Sequence, residues 1–299
     1  MLPSAGDLRR CRRVYWVKWC RRVLTDAKSS APTLTHVIPS RGETGVTAVT
    51  SLGDDVFVVR WRSQQVEVYT MRGFSRLKRR IAFPELGECS WGLAACARYK
   101  CLYVSDDDND SVYRAELSGS SAAKKWSVAG GPRGLSVNKA HNVVVACIVA
   151  NKMQEYTTHG ALVREICQAG VASPYHAIQL STGDYVVSQF MSLGVVSVVG
   201  VDGQVVRSYR PSEKSGVDEI SYPRSMAVTT NDDILVADTT NNRILLINSS
   251  LTSAERLALP FDDVIQDLCG MCLDESRGRL CVGEGGGSCR VLVFGCVGL

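Results

Sequence analysis

Few side chains in this sequence are equipped for chemistry, and their spacing decides what they can do. Twelve cysteines and four histidines stand among 299 residues. Cys269-x-x-Cys272, followed by Cys281 and Cys289, has the count of a zinc site. The spacing does not suit one: Cys272 and Cys281 fall inside apolar runs, whereas structural zinc sites pair two knuckle-like turns. Thiols in such runs behave as small buried hydrophobes, so no metal and no cofactor is expected. No nucleophile elbow, phosphate loop or Ser-His-Asp order occurs, and the chain is expected not to be an enzyme. The densest acidic run, Asp106 to Asp110 (DDDND), is either a solvated loop or a seat for a cation or basic partner. In ILVADTTNNRILLIN, Ile234 to Asn248, a polar hexapeptide from Asp238 to Arg243 separates two apolar runs. Asp accepts backbone N–H bonds in turns and Asn tolerates left-handed backbone, so these residues serve either turn chemistry or a ligand grip. Arg133 and Arg224, in GPRG and YPRS, offer a grip for phosphate or carboxylate, or cover apolar junctions with their stems.

These groups need elements to position them, and the elements repeat. Short apolar strands end at Arg60 (VFVVR), Asp106 (LYVSD), Cys147 (VVVAC), Gln189 (DYVVSQ), Asp238 (ILVAD) and Glu284 (LCVGE), spaced by 46, 41, 42, 49 and 46 residues. Each follows another apolar strand and a polar turn, as in GLSV before NKAHN. Each precedes an alternating strand such as SVYRAEL or RILLINS, and a fourth stretch leads onward. Four strands per repeat, six times over, predict an all-β fold: a six-bladed β-propeller of four-stranded blades, centred near 60, 106, 147, 189, 238 and 284. The last repeat stops after its third strand, RVLVFGCVGL. The isolated strand-like run Thr33 to Pro39 (TLTHVIP) is therefore expected to close the last blade and remove an unpaired edge.

Charge separates a tail from this body. Residues 1–30 carry eight Lys/Arg and two Asp, a net of +6, against +4 for the whole chain, so the remainder carries −2. Residues 1–32 read as a basic tail and 33–299 as the propeller. Within the tail, RRCRRVYWVKWCRRV would align Trp16, Cys20 and Val23 on a helix. It is a disordered extension, or a segment for nucleic acid, an anionic membrane surface or localisation. No run reaches the roughly 18 apolar residues of a membrane-spanning helix. The cysteines are too sparse for a disulfide scaffold, and the body is expected to be reduced, cytoplasmic and monomeric.

The stretch Tyr222 to Asn248, YPRSMAVTTNDDILVADTTNNRILLIN, closely resembles an NHL repeat: Pro, an apolar strand, a Gly/Asn/Asp turn, then Val-x-Asp, Asn and Arg-Ile. Repeats centred on Asp106, Cys147 and Glu284 match in part, and those at Arg60 and Gln189 weakly. The resemblance covers about residues 35–299. It implies a six-bladed propeller like the C-terminal recognition module of tripartite-motif ubiquitin ligases, which bind RNA or protein. No RING or B-box zinc pattern accompanies it.

In such propellers, one face is built from the loops entering the inner strands and the loops after the second strands. On that face the resemblance places Arg60, Trp61, Trp91, Asp106, Arg133, Tyr175, His176, Gln189, Arg224, Asp238 and Glu284 as candidate partner contacts. Aromatic and Arg anchors suit a protein interface. A protein partner is preferred over RNA, because RNA requires a basic face and acids here match bases. The alternative is a metal-dependent propeller enzyme. A lyase of the peptidyl-hydroxyglycine amidating kind depends on histidine-bound zinc in its channel, and only His176 is placed toward the channel; His36, His141 and His159 lie in the closing strand and turns. A calcium-dependent lactonase-like site would use Asp106, Asp238 and Glu284. Calcium takes six to eight oxygens, and Arg60, Cys147 and Gln189 at the equivalent places supply few.

Overall fold

The computed structural model describes residues 30–40, 44–73, 75–119, 122–167, 170–190, 194–210, 219–260 and 265–297. Residues 1–29 of the basic tail lie outside them, and with them the helical face of Trp16, Cys20 and Val23, whereas residues 30–32 belong to the first strand. Six antiparallel four-stranded sheets make up the fold. The strand β1 (Ser30–Ile38) comes first in the chain but stands outside the first blade. That blade is β2 (Val46–Leu52), β3 (Asp55–Arg60), β4 (Gln65–Thr70) and β5 (Arg76–Ala82). The second is β6 (Leu93–Cys96), β7 (Cys101–Asp106), β8 (Ser111–Glu116) and β9 (Lys124–Ser127). The third is β10 (Pro132–Val137), β11 (Val143–Cys147), β12 (Lys152–Tyr156) and β13 (Leu162–Cys167). The fourth is β14 (Pro174–Gln179), β15 (Tyr185–Gln189), β16 (Val196–Val199) and β17 (Val205–Tyr209). The fifth is β18 (Pro223–Val228), β19 (Ile234–Asp238), β20 (Arg243–Ile247) and β21 (Ala254–Arg256).

The sixth blade joins β22 (Leu268–Asp274), β23 (Arg279–Glu284) and β24 (Val291–Val297) to β1, which pairs antiparallel with β24. The expected closure is present, with the strand beginning at Ser30 rather than Thr33. Leu34 packs toward the junction with blade 5, and Ile38 is fully buried at the junction with blade 1. One short strand therefore supports two seams.

Strand chemistry follows radial position. The second strands are continuous buried runs, as in VFVV and VVVAC, because each sheet has a neighbour on both faces. The outermost β5 alternates exposed and half-buried residues along RLKRRIA. Apolar side chains gather into six clusters, one at each blade junction. The inner strands β2, β6, β10, β14, β18 and β22 contact one another in a closed ring.

Tight inner packing demands small residues. The ring position three places after each left-handed or turn residue holds Ala48, Gly92, Gly134, His176, Ser225 and Gly270, as the strand registers align them. A Cβ on Gly92 would lie 2.1 Å from the Arg133 carbonyl oxygen, and one on Gly134 2.4 Å from that of Tyr175. Of these six residues, His176 alone has a large side chain.

Candidate functional site

Backbone bonds bring the two sets of loops together on one face. In each blade, a residue just past the second strand donates to the loop entering the inner strand. The pairs are Trp61 N to Gly45 O, Asp107 N to Cys89 O, Ile148 N to Gly131 O, Phe190 N to Ser173 O, Thr240 N to Ser221 O and Gly285 N to Asp267 O.

The strand-end residues support this face from beneath. Asp238 is fully buried, accepts from Arg243 Nε at 2.7 Å and Asn241 Nδ2 at 2.9 Å, and caps Ser221 N at 2.8 Å. Asp106, also fully buried, caps Gly87 N at 2.9 Å and holds Asn109. Glu284 accepts from Arg290 Nε at 2.8 Å and from Gln266 N at 3.3 Å. Gln189 caps Ala172 N at 3.1 Å and donates to Ser197 Oγ at 3.3 Å. Arg60 performs the same task with the charges exchanged. Its Nε donates to Glu67 at 3.0 Å, and its terminal nitrogens reach the carbonyls of Cys289, Pro39 and Thr44. At Cys147 the cap comes from elsewhere: Asp110 of the preceding blade accepts from Gly130 N and Gly131 N. Arg60, Asp106, Gln189, Asp238 and Glu284 are thus committed below the surface, which explains their burial. The departure of Arg60 from the repeat is compensated by Glu67. The turn reading of DTTNNR fits this geometry, with Asn242 at φ 49.

One residue outward from the small ring, the equivalent positions are Thr47, Trp91, Arg133, Tyr175, Arg224 and Cys269. They converge at the channel mouth. Arg133 and Arg224, from blades 3 and 5, both approach the Trp91 indole of blade 2, at 5.1 and 5.8 Å from its centre. Each guanidinium has a carboxylate on its outer side: Arg133–Asp107 at 2.7 Å and Arg224–Asp267 at 3.6 Å. Burial raises the Asp107 carboxyl pKa against the pull of Arg133. Arg224 Nη1 also donates to Cys269 Sγ at 2.8 Å, and burial pushes that thiol up to about 11, so the sulfur accepts as a neutral thiol.

Tyr175 is buried, and Phe190 stacks on it at 5.0 Å; Tyr222 meets the edge of Phe190 at 4.9 Å. Arg224 lies 5.8 Å from the Phe190 ring. Tyr222 is 36% exposed and sits at φ 53, an uncommon conformation for a bulky residue. Ser173, Gly131 and Asp267 hold the same place in their blades, also at positive φ. The left-handed turn therefore belongs to the architecture, and blade 5 uses it to project an aromatic ring.

His176 bridges three blades. Met226 N donates to its Nδ1 at 3.1 Å, and its Nε2 lies 3.2 Å from Leu135 O, which fixes Nε2 as the protonated nitrogen. Burial lowers its pKa to about 4, so the ring is neutral. Both nitrogens are engaged, leaving no lone pair for a metal. Trp61 stands apart at the rim, 42% exposed, beneath the Arg62 guanidinium, itself paired with Glu88.

A groove of about 530 Å³ opens on this face across blades 4 to 6. Phe190, Tyr222, Arg224, Asn242, Gln266 and Asp267 form its principal walls. Arg224 comes from the sequence reading of the site; Tyr222 and Asp267 do not. The signal for those two was positional: each stands two residues before Arg224 or its equivalent, Cys269. Among the described residues no group of three or more His, Cys, Asp or Glu is arranged to hold a metal ion.

The family pattern "NHL repeat" matches residues 221–245, the segment that forms β18, β19 and the start of β20. This chain is a six-bladed propeller carrying an NHL repeat. No curated protein sequence matches. Solved structures share the fold at low identity. Virginiamycin B lyase from Staphylococcus aureus aligns with a TM-score of 0.65 at 10% identity, over 88% of this chain and 99% of that one. The WD40 propeller domain of Doa1 gives 0.62 at 13%, over 89% and 97%. Hydrazine synthase of Kuenenia stuttgartiensis gives 0.62 at 14%, over 87% and 97%. Lyase and WD40 domain alike testify to architecture alone. Among the described residues no helix is long and apolar enough to cross a membrane.

Proposed function

We propose that this propeller is a non-enzymatic recognition module that binds a segment of a protein partner through the groove beside the channel mouth. The observation that carries the reading is the groove's lining: Phe190, with Tyr175 stacked behind it and Tyr222 on its edge, beside the half-buried Arg224, in a cavity of about 530 Å³. Clefts of this size are where ligands bind, and this one sets two aromatic rings among polar groups suited to a peptide backbone; aromatic and Arg residues carry interface energy. A partner side chain packs against the surface that Phe190 and Tyr222 form together, while Asn242 and Gln266 meet its backbone. A protein is favoured over RNA by charge. Arg62, Arg133, Arg224, Arg243 and Arg290 on this side each sit against a carboxylate, so the face lacks the surplus cations that phosphates recruit. The role matches the substrate-recognition part of a ubiquitin-ligase-type protein.

The test is selection of peptides from a displayed random library on the purified protein, followed by binding titrations. Selected peptides are expected to lose at least about tenfold in affinity on Phe190→Ala, the effect of removing one aromatic anchor. A library that yields no binder, or binders indifferent to both Phe190→Ala and Tyr222→Ala, overturns the proposal. Salt-sensitive retention of single-stranded RNA with the same dependence would replace protein by nucleic acid.

A further inference from the structure

Beside the groove, the channel narrows to a gap of about 30 Å³ lined by residues from all six blades. That is room for about one or two waters or one monatomic ion, and for no polyatomic ligand. Trp91 and Arg224 both line it. Trp91 Nε1–H and Arg224 Nε–H are buried and have no acceptor, and Arg133 Nε–H on the same indole is in the same state. Indole and guanidinium nitrogens only donate, and a buried donor without an acceptor costs on the order of a hydrogen bond or more. The nearby hydroxyls bond elsewhere: Thr47 Oγ1 donates to Val59 O, and Ser225 Oγ accepts from Met271 N and donates to Met271 O.

Charge sharpens what is missing. Arg224 is the charged residue in the gap's lining, and no carboxylate stands there among the described residues. Asp107 and Asp267, which pair with the two arginines, lie outside it. His176 bonds Met226 and Leu135 through its two nitrogens, and the Cys269 sulfur already accepts from Arg224. The gap therefore presents unmet donors, one of them on a guanidinium that shares its charge with Asp267 outside the gap. A monatomic anion accepts from several N–H groups at once and has no proton to place; a water has two.

We propose that this gap is a binding seat for one halide ion, chloride in ordinary salt, held by Trp91 Nε1–H and Arg224 Nε–H beneath the channel mouth. The ion draws blades 2 and 5 together across the channel. Because Arg224 lines both cavities, a halide also fixes the inner wall of the groove. The seat stands whether or not the groove binds a protein.

Bromide is the probe. Crystals of the wild-type protein grown with bromide in place of chloride are expected to show one anomalous peak in the gap, within hydrogen-bond reach of both nitrogens. In solution, bromide quenching of tryptophan fluorescence should contain a saturable component, lost in Trp91→Phe and weakened at least tenfold in Arg224→Gln, above a linear background from exposed Trp61. A gap without anomalous signal, holding water alone, overturns the proposal. So does a saturable component that survives Trp91→Phe.

Discussion

The His176 bridge makes the stability of the propeller depend on pH in a direction opposite to that of an exposed histidine in a salt bridge. In the folded protein the ring is neutral, with Nδ1 accepting from Met226 N and Nε2 facing Leu135 O. Protonation would turn Nδ1 into a donor pointing at another donor, inside a crowded ring. Burial accordingly lowers the pKa from 6.5 to about 4. The unfolded chain binds this proton more readily than the folded one, so stability rises with pH between those values. The stabilisation is fully present above about pH 6.5, is lost as pH falls through the interval, and is gone below about pH 4. At 1.36 kcal/mol per unit, the shift is worth about 3 kcal/mol. The assay is urea unfolding followed by far-ultraviolet circular dichroism, from about pH 7.5 down to about pH 4, for wild type and His176→Gln. At neutral pH the variant should be less stable by about 1–3 kcal/mol, having weakened two buried hydrogen bonds. Carboxylates titrate in both proteins, so the difference between the curves isolates His176, and it should shrink steadily with acidification. Curves that remain parallel across the whole range would refute the reasoning.

Two further outcomes follow from the seams and the caps. Removing residues 1–38 takes β1 from β24, and with it fully buried Ile38. At about 1.5–3 kcal/mol for each fully buried aliphatic side chain, plus the lost strand pairing, the thermal midpoint should fall by more than about 5 °C; an unchanged midpoint would contradict closure. Arg60→Glu and Glu67→Arg should each cost about 3–5 kcal/mol by leaving a buried charge against its like. The double exchange restores the polarity seen in Asp238–Arg243, and denaturant titration should show a favourable coupling of about 0.5–3 kcal/mol; strict additivity would show that the two act separately.

The legible part of this molecule was whatever a single blade encodes. The turn at DTTNNR and the strand preceding it could be read because Asp238, Asn241 and Arg243 satisfy one another within a few residues. The closing strand could be read because a three-stranded final repeat leaves an arithmetic gap that TLTHVIP fills. What escaped was burial and contact across blades. Glu284 and Asp106 look like surface acids in sequence, yet both are fully buried, because their charges are met by caps and partners that only register reveals. The groove escaped for the same reason. Arg224 meets Trp91, Phe190 and Cys269 from three other blades, at sequence distances of up to 133 residues set by ring closure. Resemblance among repeats directs attention to equivalent positions, whereas a site of this kind is made from the differences between them.

The capping residues have a consequence for how such a ring diverges. Asp238 with Arg243, Glu284 with Arg290 and Gln189 with Ser197 each make their side-chain bonds inside one blade, whereas Arg60 pairs with Glu67 of its own blade and also reaches Cys289 O of blade 6. A change at any of the first three needs a correction only a few positions away, inside the same repeat. Such a blade is free to drift in chemical alphabet while holding its geometry. Sequence likeness between repeats then decays faster than shape, and the blades keep their common outline after their common spelling has gone.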